Sequence, residues 1–201
     1  MTGHHSCRNR AFTLVELMVV VAIIGIIAAL AVYGVGRYLR SAKVAEAKQS
    51  VGQIARGAVG AYEREQSPSE MMAEGGQSTA VSNALCESAT PIPATVPKGT
   101  KYQPSSAAGQ GFQTGDATTG WKCLMFEISQ PIYFRYSYTK NGATAAPNNP
   151  GACTADCFEA GANGDLDGDG ALSSFAMTGQ INAQTGALHT ATQIYSTSEE
   201  E

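Results

Sequence analysis

The pattern of apolar and polar positions divides the chain sharply. From Leu17 to Gly36 twenty residues pass without a charge, and Val19, Val20, Val21, Ile23, Ile24, Ile26, Ile27 and Leu30 place apolar side chains on every face of a helix. A helical bilayer span needs about 20 such residues, so this run predicts a transmembrane helix; a buried core helix rarely stays apolar all round for so long. The periodicity then changes. Val44, Ala47, Val51, Ile54, Ala58 and Ala61 recur at spacings of three and four, while Lys43, Glu46, Gln49, Gln53, Arg56 and Glu63 lie mostly elsewhere. That stripe predicts an amphipathic continuation packed on a head domain, ended by Ser67-Pro68. The whole is one helix of about 50 residues, weakened locally by Gly25, Gly34, Gly36, Gly52, Gly57 and Gly60, which also permit close helix approach.

Beyond the helix the period weakens. Residues 67–120 hold Pro91, Pro93, Pro97 and Pro104 among Ser, Thr, Gly and Ala, and read mainly as surface loop. Strands are expected from Trp121, with Lys122 to Phe126 short and mixed. Ile132 to Thr139 alternates clearly, with Ile132, Phe134, Tyr136 and Tyr138 on one face, and Asn141-Gly142 follows as a turn. Further strands are expected over Leu172–Thr178 and, after the turn at Gln184–Gly186, over Ala187–Tyr195, with Ser198–Glu201 a frayed acidic tail. The fold class is α+β: one long N-terminal helix packed on a small antiparallel sheet with long loops. The expected divisions are 1–11 as a leader, 12–36 as the membrane half of the helix, 37–66 as its amphipathic half and 67–201 as the head.

Composition changes this picture little. The 201 residues are 43% hydrophobic with net charge −4, and no Lys/Arg stripe interleaved with aromatics supports nucleic-acid binding. The flanks of the apolar run argue against a secretory signal peptide, whose apolar region is shorter and precedes a small-residue cleavage site. Any cut is therefore expected before the run. Arg8 and Arg10 precede it but Arg37, Arg40 and Lys43 follow, so charge alone does not set the orientation.

The residues before the run carry a resemblance. Arg8-Asn9-Arg10-Ala11-Phe12-Thr13-Leu14-Val15-Glu16-Leu17-Met18 is similar to the prepilin cleavage and methylation motif of type IV pilins and type II secretion pseudopilins. The resemblance covers about the first 55 residues. It implies a pilin-like fold, cutting by a prepilin peptidase between Ala11 and Phe12, methylation of the new amino terminus, and Glu16 as the fifth residue of the mature chain. The family usually has Gly where this chain has Ala11. It further implies an inner-membrane single-pass protein with an extracytoplasmic head, contacts with membrane lipid and with a pilus or secretion assembly platform, and homo-oligomerisation into a filament. Physical chemistry gives Glu16 a matching role. A carboxylate inside an apolar span costs about 2.5–3.5 kcal/mol on insertion scales and seeks a partner. The Phe12 ammonium of a neighbouring subunit would supply one and fix axial register; a side chain that snorkels to the interface is the alternative.

Cys7 falls in the leader, leaving Cys86, Cys123, Cys153 and Cys157. An even number outside the cytoplasm points to two disulfides among three possible connectivities, with Cys86–Cys123 and Cys153–Cys157 expected because the near pair closes one tight loop. Zinc competes poorly, since His189 is the only mature histidine and no second ligand pair exists.

Asn163-Gly164-Asp165-Leu166-Asp167-Gly168-Asp169-Gly170 sets alternating carboxylates in a Gly-rich loop, the arrangement by which oxygen ligands wrap calcium. Asp165, Asp167 and Asp169 are the expected ligands of a structural Ca2+. Ala176 stands where a bidentate Glu would complete an EF-hand, so Asp156, Glu159 or carbonyls would have to contribute; a solvated acidic turn is the alternative.

No G-x-S-x-G, H-E-x-x-H or phosphate-cradling loop occurs, and an enzyme is not expected. Three readings follow: a type IV pilus-like filament subunit, a type II secretion pseudopilin, or a monomeric anchored extracytoplasmic protein that binds calcium.

Overall fold

The structure, a computed structural model, describes residues 12–64, 74, 83–152 and 154–199. It divides into two compact units, Met1–Ser41 and Ala42–Glu201. Helix α1 (Leu14–Glu63, 50 residues) starts in the first and continues into the second. The expected stop, Ser67-Pro68, lies outside the described residues.

Every described residue of the first unit is exposed, including the apolar side chains from Phe12 to Leu39. The helix starts with a capping box. Thr13 Oγ accepts from the Glu16 N–H (3.2 Å), and a Glu16 carboxylate oxygen accepts from both the Thr13 N–H and its hydroxyl (2.8 Å each).

In the second unit the spacing rule holds. Val44, Ala47, Val51, Ile54, Ala58 and Ala61 are all buried, joined by Ser50, Ala55 and Tyr62. They share one core with a six-stranded antiparallel sheet: β1 (Ala89–Ile92), β2 (Phe134–Lys140), β3 (Cys157–Gly164), β4 (Ser173–Ile181), β5 (Leu188–Thr190) and β6 (Tyr195–Thr197). The order is β1-β2-β3-β4-β5, with β6 also on β4. The face predicted for the second strand points inward: Ile132, Phe134, Tyr136 and Tyr138 are at most 1% exposed. Asn141 takes the positive φ (54°) expected of a turn residue before Gly142.

Four expectations change. Residues 120–123 form a short helix, α2 (Gly120–Cys123), rather than a strand. Asp116 accepts from the Thr118 and Thr119 amides at 2.8 Å, and the resulting tight turn drives Trp121 and Cys123 into the core. There Trp121 donates its indole N–H to Thr90 O (2.8 Å) and meets Phe112 edge-on at 5.0 Å. The region read as loop contributes edge strand β1. The last expected strand is two: Ala191 N still bonds Thr178 O, after which the chain leaves β4 and returns at Tyr195. The tail is not free through Glu199, which pairs with Lys48 Nζ at 2.8 Å and accepts from Ser196 Oγ; those hydrogen bonds, Lys48's first, lower its carboxyl pKa.

Strand β3 escaped the sequence reading altogether. Its eight residues are buried throughout, on both faces of the sheet. Phe158, Ala160 and Ala162 join the core. On the opposite face Glu159, Gly161 and Asn163 lie beneath the loop through Thr144–Ala146. Glu159 accepts from the Thr144 and Ala145 amides (2.6 and 2.7 Å), and Asn163 Nδ2 donates to Ala145 O (2.9 Å). Gly161 leaves room between them: a β-carbon there would come within 2.1 Å of the Ala145 methyl.

Candidate functional site

Phe12 and Glu16 both fall in the exposed apolar segment, while Ala11 lies outside the described residues. Phe12 is 81% exposed, and Ile26, Leu30 and Val32 are at least 65% exposed. α1 is long and apolar enough to cross a membrane by length and composition. So much uncovered apolar surface is far beyond the scattered exposure usual for a soluble monomer, and lipid or other helices would satisfy it. Thr13 shapes the one acidic group here. Through the capping box it holds the Glu16 carboxylate at the helix start, beside residue 12, a role the sequence reading did not assign to it although the T-x-x-E spacing signals it.

The disulfide Cys86–Cys123 is present, with Cα atoms 5.9 Å apart, and ties the segment before β1 to α2. Cys157 at the start of β3 is also disulfide-bonded, and Cys153 lies outside the described residues.

Asp165, Asp167 and Asp169 sit on the loop from β3 to β4, and one carboxylate oxygen of each lies within 4.8 Å of the other two. Oxygens on a single calcium, each about 2.3–2.6 Å from it, have such separations, so the donor set fits a hard cation. Asp165 is buried and accepts from the Gly168 and Gly170 amides (2.6 and 3.1 Å), while Asp167 and Asp169 are exposed. The expected auxiliary ligand Glu159 is not among them; its carboxylate is committed to the 144–146 loop on the sheet face. Ala176 is buried in β4 opposite Gly161. His189, in β5, is exposed and pairs with Gln180 in the ladder.

Lysines form one arrangement that sequence periodicity could not reveal. Lys43 Nζ and Lys101 Nζ lie 4.0 and 5.1 Å from the centroid of the same ring, Tyr133. Residues 58 positions apart come together there only because Tyr102 and Ile132 exchange backbone hydrogen bonds (2.8 and 2.9 Å).

No curated protein and no solved structure matches the chain. Residues 6–32, which include Ala11, Phe12, Thr13 and Glu16, match the prokaryotic N-terminal methylation motif, so the chain carries the prepilin-type cleavage signal of type IV pilin-like proteins ahead of an apolar helix and an antiparallel-sheet head.

Proposed function

We propose that this protein is a structural subunit of a type IV pilus-like filament, without enzymatic activity. In this reading the prepilin peptidase cuts between Ala11 and Phe12 and methylates Phe12. The chain waits in the inner membrane with its head on the extracytoplasmic side, and subunits then polymerise through α1. The observation that carries the proposal is the conjunction of the methylation motif with an apolar helix surface uncovered from Phe12 to Leu39. Glu16 sets register by pairing with the Phe12 ammonium of a neighbour. As part of the same reading, Asp165, Asp167 and Asp169 hold a calcium ion that stiffens the β3–β4 loop; the mutual approach of their oxygens supports this.

The decisive measurement is the mass of the N-terminal peptide in sheared surface and membrane fractions. A peptide starting at Phe12, one methyl group heavier and present in sheared material, is the expected result. An intact Met1 leader confined to the membrane refutes the filament reading. Glu16→Ala is expected to insert and be cut normally yet give markedly fewer filaments, since the carboxylate that would pair with a neighbour's ammonium is gone. Normal filament yield from that variant would rule out the register role.

A further inference from the structure

Lys43 stands on α1 one residue before Val44, the first of the helix's buried positions. It lies seven residues after Gly36, the end of the charge-free run, a distance of about 25 Å at most even for extended chain and about 10 Å for helix. Lys101 is brought to the same aromatic ring from the loop between β1 and α2. Two ammonium groups on one ring lie closer together than the sum of their distances to its centre, and like charges at that range repel. Among the described residues neither has a carboxylate within ion-pair distance. Lys98 adds a third charge from the same loop, and the loop is not loose. Gly99 N donates to Asp165 O (2.8 Å), and Tyr102 is bonded both ways to Ile132. The acidic groups bordering this end are Glu46 on α1 and the Asp165–Asp169 loop, where Asp165 is turned onto its own loop's amides. Lys43 and Lys101 thus form a cationic pair fixed on the Tyr133 ring beside the first buried turn of α1, with Lys98 on the same loop where its backbone pairs with Asp165 and the exposed Asp167 and Asp169 border it.

We propose that Lys43 and Lys101, both set on the Tyr133 ring, together with Lys98 from the same loop as Lys101, form a docking surface for anionic phospholipid headgroups, which orients the head on the membrane before assembly. The proposal rests on the membrane-anchored reading above. A phosphate-bearing leaflet meets each requirement: it is anionic, it is planar enough to meet three lysines at once, and chain connectivity keeps it within reach of Lys43. An ammonium group near such a surface gains attraction that is screened by salt.

The test is amine-labelling footprinting of the full processed chain in nanodiscs of phosphatidylcholine alone or of a phosphatidylglycerol-rich mixture. Lys122, exposed on α2, serves as internal reference. The expected result is labelling of Lys98 and Lys101 slowed about five-fold by the anionic lipid, the factor for one lysine's attraction to such a leaflet, with Lys122 unchanged and high salt abolishing the difference. The K98Q/K101Q variant should still insert, with Lys43 labelled nearly alike in both lipids. Equal labelling of a chain that inserts in both nanodiscs overturns this proposal while leaving the filament reading intact. Protection found only in lipid-free filaments also overturns it, because the occupant is then a second copy. Failure to insert into either lipid overturns both readings.

Discussion

Replacing Gly161 by Ala tests how the head's outer sheet face is closed. The added β-carbon would stand 2.1 Å from the Ala145 methyl, and carbon atoms need about 3.5–4.0 Å, so the 144–146 segment must lift by roughly 1.5 Å or more. The Glu159 bonds to the Thr144 and Ala145 amides (2.6 and 2.7 Å) and the Asn163 bond to Ala145 O (2.9 Å) then exceed hydrogen-bonding distance. Two of these involve a carboxylate whose other oxygen already lacks a protein partner. With a net loss of about 1 kcal/mol for each bond, partly recovered by water entering, and overpacking costs of about 1–3 kcal/mol, the expected destabilisation is about 2–4 kcal/mol. Urea unfolding of the full chain in detergent, followed by the fluorescence of Trp121, reads this directly, because the lone tryptophan is fully buried in the head core. Ala145→Gly in the Gly161→Ala background removes the clashing methyl and should restore most of the loss, giving a coupling energy of about 1–3 kcal/mol. Additive effects of the two substitutions, or unchanged amide-exchange protection at Thr144 and Ala145 in Gly161→Ala, would show that this contact does not hold the loop.

Other consequences are equally open to measurement. Cys86→Ala with Cys123→Ala releases a cross-link spanning 37 positions and should destabilise the head by roughly 4 kcal/mol in the same assay; a loss under about 1 kcal/mol would mean the unfolded chain is already constrained there. Chelation from saturating calcium should lower the head's Tm by roughly 5–10 °C, and identical melting with calcium and with chelator refutes the Asp165–Asp169 site. Burial raises the Tyr136 hydroxyl to about 12, so its contribution is complete below pH 10 and is lost as pH rises through 12, about 2–3 kcal/mol in all. Tyr136→Phe should flatten the fall of stability between those pH values, and an unaltered alkaline slope would mean Tyr136 ionises freely in the folded head.

What the sequence disclosed follows from where periodicity is enforced. The stripe on α1 is legible because one helix face meets the core and the other meets water, and β2 alternates for the same reason. β3 has no wet face. Its outer side is covered by the 144–146 loop, where Gly161 permits the close approach and Glu159 and Asn163 bond that loop, so the polar-apolar alternation of a half-wet strand is absent. Gly164 adds to this, since a β-carbon there would enter the Phe134 ring at 2.4 Å. α2 was misread because Lys122–Phe126 has strand-like residues, while the turn at Asp116 that sets its direction lies several positions earlier. The acidic loop was visible because Asp and Gly alternate locally. The lysine pair on Tyr133 was not, because it depends on a contact between distant segments.

The capping box changes how Glu16 should be understood. A carboxylate entering an apolar environment must be satisfied, and a neighbour's ammonium is the partner that the filament would provide. Yet the Thr13 amide and hydroxyl already bond it within a single chain, at 2.8 Å each. In the membrane-anchored reading, insertion would therefore not wait on a second subunit. In the proposed filament, assembly would exchange, or add to, this local cap, and the register interaction would act on an already oriented group. On this argument Thr13→Val removes the hydroxyl but keeps the backbone donor. It should slow assembly less than Glu16→Ala does, while leaving cleavage before Phe12 unaffected. Equal defects in the two variants would mean that Glu16 works only through its own helix cap, and that no ammonium from a neighbour is involved.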